Sequence, residues 1–372
     1  MESATGTSLA GDRGDRGDFE QVRSAWSGLA AHATYFFQTP EWIELLARRL
    51  EGDVAWGAVL AGGRPAAVSI LRRSVRRAAG VNIRMLSQVR YGEALHLYAD
   101  GLLDREVLGQ RRVGELVDAS GPWHVLWLLG LRAASPWLEL ASGGLVRVEP
   151  NRGVGVLDTS REFGECWRAL PENMRDSIRK ARRKIDEHGG AEIVVTTGPE
   201  IAAAYERFVE LEVSGWKAHQ GGALANMPIE AGLWRDYLRI ADTAQVRSLH
   251  IDGRLAAAQV TVTTARTLFL PSIAYAEDLA NLSPSNVLMA DLLESCCNDP
   301  AIDRIDCMAW QPWHPRWGMT REPTYSLVAF NHRTVRGLAA RFARSGWELF
   351  NRASVRGSAA RTTRRGSERV DE

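Results

Sequence analysis

The chain has 372 residues, 45% of them hydrophobic and 24% charged, and a formal net charge of +1. That length exceeds what one core usually fills and favours two domains. The composition excludes disordered and fibrous classes, and the near-neutral charge excludes a general affinity for polyanions. Cys166, Cys296, Cys297 and Cys307 lack metal-ligand spacing and read as free thiols in a reducing compartment. The start, Met1-Glu2-Ser3-Ala4, shows no basic stretch followed by an apolar one. The longest apolar run, Val125 to Leu131, is far too short to span a bilayer. A cytoplasmic protein without a metal or a membrane span is expected.

Residues 1–18, with GDRGDRGD, and the arginine-rich 351–372 read as disordered tails. Between them the expected division is an N-terminal domain over 19–152 and a second domain over 153–350. Gln38 to Leu50 reads as a helix, and VLAGGRPAAVSI at 59–70 reads as two apolar runs meeting at a Gly-Arg turn, a β-hairpin. The following RRSVRRAAGVNIRM opens no helix suited to a donor molecule. LHIDGRLAAAQV at 249–260 repeats the hairpin about half a chain later, so duplication of one fold unit is expected.

The second half gives a fuller order. Glu172 to Glu187 reads as a helix with Ile178, Ala181 and Ile185 on one stripe, Glu192 to Thr196 as a strand, and Pro199 to Val213 and Pro228 to Ala241 as helices. Three strands follow at Val246–Ile251, Leu255–Thr263 and Thr267–Tyr275. Ser283-Pro284 then opens a helix with a capping serine and proline at its first position, running to about Cys297. A last strand is expected over Ile302 to Trp310.

FQTPEWIELL (37–46), FVELEVSGWKAHQGGAL (208–224), the DGRLAAA hairpin and SIAYAEDLANLSPSNVL (272–288) together resemble GNAT acyltransferases of the cellulose-biosynthesis (CelD/BcsL) type, over 36 to about 320. The resemblance implies an α/β fold with mixed sheets in two tandem GNAT-like domains, the first degenerate and the second catalytic. It implies acetyl-CoA or another acyl-CoA as donor and a small-molecule amine as acceptor. The related Fem-type ligases pair two such halves and take aminoacyl-tRNA, so a tRNA donor is the alternative; a non-catalytic scaffold on the same fold is a third. The chain departs from the family pattern at Ser283-Pro284-Ser285-Asn286, where Ser-Pro-Gly is usual, and at Trp313-His314-Pro315-Arg316-Trp317, where a Tyr-Lys pair is usual.

Acyl transfer to an amine needs a positioned donor carbonyl, an oxyanion partner and a route for the ammonium proton. Ser283, Ser285 and Asn286, at a helix start, suit the donor's phosphates through backbone N–H groups and the helix dipole; an ordinary helix start is the plain alternative. Glu212 is the first candidate for general base, with Glu210 beside it as an acceptor contact, although either could lie on a solvated helix face. Trp216 and Lys217 suit a wall and an anion contact for the acceptor, or a simple loop anchor. Tyr275 closes one strand and Asp306 lies in the next, so both are catalytic candidates expected to face the cleft where such sheets splay apart, a structural ion pair being the plain alternative for Asp306. Asp306, in an apolar strand, needs a partner, for which Arg304 and His314 are at hand. His314 itself is a candidate acid or base or a packed histidine. Arg175, Arg179, Arg182 and Arg183 give one helix a basic face that suits a phosphate backbone or plain solvation.

Overall fold

The computed structural model describes residues 7–12, 16–49, 54–78, 80–89, 100–108, 114–142, 145–214 and 224–342. Its strands are β1 (Thr7–Asp12), β2 (Val54–Ala61), β3 (Arg64–Ala78), β4 (Val81–Gln88), β5 (Leu102–Leu103), β6 (Val125–Leu131), β7 (Val146–Pro150), β8 (Val154–Asp158), β9 (Ala191–Thr196), β10 (Ala244–Ile251), β11 (Arg254–Thr264), β12 (Thr267–Tyr275), β13 (Arg304–Asp306), β14 (Thr320–Glu322) and β15 (Tyr325–Phe330). Its helices are α1 (Arg16–Gly28), α2 (Pro40–Arg49), α3 (Arg105–Leu108), α4 (Gly114–Ala119), α5 (Phe163–Ala169), α6 (Glu172–Glu187), α7 (Ile201–Val213), α8 (Pro228–Ile240), α9 (Pro284–Asn298) and α10 (Val335–Phe342).

The strands form two mixed sheets. One runs β1-β2-β3-β4-β6-β15-β7, with β5 added on β3; the other runs β9-β10-β11-β12-β13-β8-β14. The two orders correspond strand for strand, and the two hairpins that repeat in the sequence occupy equivalent places. β2–β3 turns through Gly62 (φ 58°) and Gly63 (φ 77°), and β10–β11 turns through Asp252 (φ 48°) and Gly253 (φ 70°). Two consecutive positive φ angles make the tight turn whose twist matches that of paired strands. Both hairpins also slip register one pair later, between Val59 and Leu60 and between Leu249 and His250. In each half a third antiparallel strand follows, and then a parallel neighbour, β6 beside β4 and β13 beside β12.

Each sheet is completed by a strand from elsewhere in the chain. β8 lies between β13 and β14, while β15 returns to the first sheet between β6 and β7. The expected division at 153–350 therefore needs correcting at its end: residues 325–330 fold with the first half, because β6 and β7 leave a gap that only another strand can satisfy. The expected tail over 1–18 also contains structure, since Thr7–Asp12 pairs antiparallel with β2 and α1 begins at Arg16. The arginine-rich segment 351–372 lies outside the described residues.

Helices cover the sheets according to their apolar stripes. α6 buries Met174, Ile178, Ala181 and Ile185, the three-and-four spacing of a one-sided helix. α9 buries Val287 through Ala290 without interruption, and Leu292, Leu293 and Cys296 besides; it is apolar nearly all round because it lies between the sheet and α5 and α6. An aromatic cluster joins the halves. The Phe36 ring lies 5.1 Å from Trp42, 5.6 Å from both Trp234 and Tyr237, and 5.3 Å from Phe269. Gln38, in the FQTPEW segment, holds this corner: its Oε1 accepts the Thr34 and Tyr35 N–H groups and its Nε2 donates to the Gly101 carbonyl.

Candidate functional site

β12 and β13 pair at only three positions, Thr267 with Arg304, Leu268 with Ile305 and Phe269 with Asp306. β12 then continues to Tyr275, while the chain beyond Asp306 leaves it. Cys307 N–H donates to the Gly155 carbonyl (2.9 Å) and Gly155 N–H to the Ala309 carbonyl (3.2 Å), so this segment attaches to the β8 side and the two strands part. The expected strand over Ile302 to Trp310 is thus only Arg304–Asp306. The cause is local: Asp306 Oδ1 accepts the Met308 N–H at 2.7 Å, and Met308 takes a left-handed conformation (φ 58°), which ends a strand.

The start of α9 follows β12 through a short 3-10 turn, Glu277–Leu282. Ser283 is left-handed (φ 49°, ψ 48°) and makes no side-chain cap bond, contrary to the expected serine cap; Pro284 occupies the first helical position, as expected. The left-handed turn aims the Ser283 carbonyl into the helix, where it accepts the N–H groups of Asn286 (3.0 Å) and Val287 (3.3 Å). Among the described residues nothing accepts from the Ser285 N–H. That donor and the helix dipole are what this end offers an anion.

Glu212, on α7, is 3% exposed. Its carboxylate accepts the Leu224 N–H (2.7 Å) and the Ser272 hydroxyl (2.9 Å). Ser272 belongs to the stretch of β12 beyond its pairing with β13, so the glutamate reaches that stretch through a hydroxyl. Glu210 is exposed on the same helix, two positions earlier and therefore on a different face. Tyr275 is half-buried against the α6 and α9 side. Trp216 and Lys217 lie outside the described residues.

Asp306 is fully buried, and its main partner is neither of the two expected. Arg132, at the end of β6 in the first half, donates to Oδ1 at 2.9 Å; Arg304 stands 3.9 Å from Oδ2 and pairs with Glu322 at 2.7 Å. Arg132 also lies 5.8 Å from the centre of the Tyr35 ring, whose hydroxyl burial pushes up to about 12, with Arg132 pulling the other way. Beside them Asp100 accepts from Gly101 N–H (2.9 Å) and the Ser135 hydroxyl (3.0 Å), and burial raises its carboxyl to about 7. The base of the parted strands is thus furnished partly by the first half. No local pattern marks Arg132, because its partner is 174 positions away.

His314 is fully buried, with its ring 4.2 Å from Trp313 and 5.3 Å from Trp310. Its Nδ1 accepts the Gln311 N–H at 3.2 Å, and burial lowers it to about 4, Asp306 acting in the opposite direction. It is neutral at pH 7. It packs on Gly155, where a Cβ would stand 2.0 Å from Nδ1, so only glycine fits there. All four cysteines are free, and among the described residues there is no cluster of metal-ligating side chains and no helix long and apolar enough to cross a membrane.

Residues 172–309, from α6 to just past β13, match the family model of the Acetyltransferase (GNAT) domain. No curated protein sequence matches the chain. Among solved structures it is similar to FemX, at 10% identity over 84% of this chain and 96% of that one, with a TM-score of 0.59. It is also similar to L-PGS from Bacillus licheniformis (9% identity, 86% and 95%, TM-score 0.51) and to the C-terminal domain (DUF2156) of a putative lysylphosphatidylglycerol synthetase from Agrobacterium fabrum (12%, 87% and 96%, 0.50). At these identities the likeness establishes the shared fold, two mixed sheets over nearly the whole of each chain.

Proposed function

We propose that the second half is an N-acyltransferase that moves an acetyl or other acyl group from an acyl-CoA to the amine of a small-molecule or saccharide-pathway acceptor. The observation that carries this reading is the parting of β12 from β13 after three pairs, beside the start of α9, within the residues that match the acetyltransferase domain. Two features fit such a donor. The stretch of β12 over 270–275 runs on beyond its pairing with β13 and suits an extended amide-bearing arm laid along it, and the α9 start, with the Ser285 N–H and Asn286 beside Ser283, suits its phosphates. The acyl-CoA supplies the activated thioester.

The amine nitrogen bonds to the thioester carbonyl carbon as the carbon–sulfur bond breaks and CoA leaves as the thiolate, and Glu212 receives the proton the amine gives up, with the Ser272 hydroxyl as the link between carboxylate and acceptor. Asp306 holds the end of β13 in its turn through the Met308 N–H. Tyr275 closes the far end of that stretch. Glu210, Trp216 and Lys217 are assigned to the acceptor side, the last two on sequence alone. His314 is assigned to packing, since a buried neutral imidazole among tryptophans has no route for a proton. Thermal-shift titration with acetyl-CoA and longer acyl-CoAs tests the proposal: a donor at a hundred times its Kd adds about 2.7 kcal/mol to stability. No shift with any acyl-CoA overturns it.

A second reading, an aminoacyl-tRNA donor, draws on the exposed arginines of α6 and on Lys184, whose Nζ donates to the Asn281 carbonyl at 3.2 Å just ahead of α9. It ranks second because Arg179 and Arg183 each pair with an acid of their own helix and Arg182 reaches Glu294. Product formation abolished by ribonuclease would exchange the two readings.

A further inference from the structure

In one corner of the second sheet the side chains under a covering helix are polar where apolar ones are the rule. The register pairs Gln245 with Thr261 and Arg247 with Gln259, so these four side chains share one face of β10 and β11. That face is the one α9 covers: Arg247 Nη2 donates to Asp291 Oδ2 and to Ser295 Oγ, and Gln259 Nε2 reaches Met289 Sδ at 3.9 Å. One step further along both strands the same face presents Leu249 opposite Ala257, packed with Leu288 of α9, as a sheet under a helix ordinarily does.

The polar groups in this corner are buried and incompletely bonded. Gln259 is 0% exposed, Thr261 1% and Arg247 7%. Among the described residues Gln259 Oε1, Thr261 Oγ1 and Arg247 Nε have no hydrogen-bond partner. Buried polar atoms without partners are costly and uncommon, and here three fall on two adjacent strands. Beside them lies a cavity of about 240 Å³, with Gln245, Arg247 and Thr263 on the sheet side and Leu292 and Cys296, in the C-terminal half of α9, opposite. Thr243, Ser295 and Asp299 line it and are exposed, so it opens to solvent. One water needs roughly 15 Å³ of such space, so the cavity has room for a small molecule. It meets β12 at Leu268 and α9 at its far end from Ser283, away from the acyl-transfer site.

We propose that this cavity binds a small uncharged molecule carrying several hydroxyl groups, a polyol or a monosaccharide. The absence of charge follows from the neighbours. Arg247 is already paired with Asp291, and Asp299 stands among the lining residues, so an anion meets carboxylates while a cation meets the guanidinium. Hydroxyl groups match what is unsatisfied: Arg247 Nε needs an acceptor, Gln259 Oε1 needs a donor, Thr261 takes either, and a hydroxyl supplies both. Arg247 lines the cavity itself, and Thr261 lies on β11 two positions from the lining Thr263, within reach directly or through one water. Leu268, Leu292 and Ile302 supply the apolar wall for the carbon skeleton. The inference stands apart from the acyl-transfer reading, since neither the parted strands nor the start of α9 takes part.

The test is saturation-transfer NMR on the full chain with glycerol, myo-inositol, glucose and N-acetylglucosamine, and with succinate and putrescine as charged probes. Saturable binding of at least one uncharged probe, and of neither charged one, is expected. Thr261→Val keeps the shape and removes one unpartnered hydroxyl; it should weaken the bound probe about three- to tenfold and leave the empty protein no less stable. Thr263→Phe fills the mouth and should abolish binding, with melting measured to show that it folds; Thr261→Val decides alone if it does not. Thr320→Val, an exposed threonine on β14, should leave binding unaltered. No saturable binding of any uncharged probe, meaning that water alone fills the cavity, overturns the proposal. So does equal binding of a charged probe, full binding by Thr261→Val, or equal loss with Thr320→Val. Acyl-CoA thermal shifts on Thr261→Val stay unchanged, so a failure here is distinct from a failure of the acyltransferase reading.

Discussion

The two sheets share one strand order and differ where a donor would enter. In the second half β12 outruns its parallel neighbour by six residues, and a helix of 15 residues starts beside the opening. In the first half β4 ends at Gln88, one residue past its last pair with β6, and the Gln88 carboxamide accepts the Leu129 N–H at 2.7 Å across the place where the strands would part. The described helices between β4 and β6 have four and six residues. One glutamine side chain bonds shut the place that the other half leaves parted. The first half is still not a passive copy, because Arg132 and Tyr35 reach the base of the open site.

The largest effect expected from this contrast falls on turnover. Glu212→Gln should lower kcat by roughly 10²–10⁴-fold, the range for loss of a positioned base, with little change in melting because an amide oxygen still accepts the Leu224 N–H. Steady-state kinetics on any accepted amine measures it, and an unchanged kcat removes Glu212 from the chemistry. Next is Arg132→Ala, which strands a buried carboxylate and should cost about 3–5 kcal/mol by urea denaturation. A cost below 1 kcal/mol would mean that the two halves are energetically independent.

Asp100 gives the first half a pH signature. Its folded carboxyl titrates near 7, above the ordinary carboxylate range. The folded state therefore binds the extra proton, and stability from this group is present in acid and lost as pH rises from about 4 to 7. Asp100→Asn should remove that loss, gaining roughly 4 kcal/mol over the parent at pH 8 and nothing at pH 4. His314 has the opposite sign: lowered to about 4, it costs stability as pH falls from about 6.5 to 4. Urea midpoints at both ends of the range separate the two groups.

Smaller effects follow. Gln88→Ala leaves the Leu129 N–H without its acceptor and should cost about 1–3 kcal/mol while leaving turnover in the second half untouched; a gain of acyl-CoA binding in this variant would show that the first-half opening is merely plugged. Ser283→Gly relieves a left-handed residue and should raise stability by about 0.5–1 kcal/mol, read as a rise in Tm.

Much of this architecture is legible in one dimension. The hairpin echo and the order of elements from Glu172 to Cys297 depend on periodicity and turn residues within a few positions of each other, which local sequence states directly. The end of β13 is less legible, because the segment from Ile302 to Trp310 reads as one strand until the Asp306 carboxylate turns back on its own chain. The return of residues 325–330 to the first sheet has no local sign at all, since any short apolar strand reads the same whichever sheet receives it.

The sequence by itself determined the doubled mixed-sheet fold, the helix starting at Pro284 and the acidic residue at 212, because these follow from short-range pattern. Only the tertiary structure decided that β12 and β13 part, that Glu212 meets the opening through Ser272, that Asp306 belongs to Arg132 of the other half, and that one opening is closed by Gln88. Each of these is a contact between segments far apart in the chain, and such contacts are set by which surfaces pack and which buried polar groups must find partners.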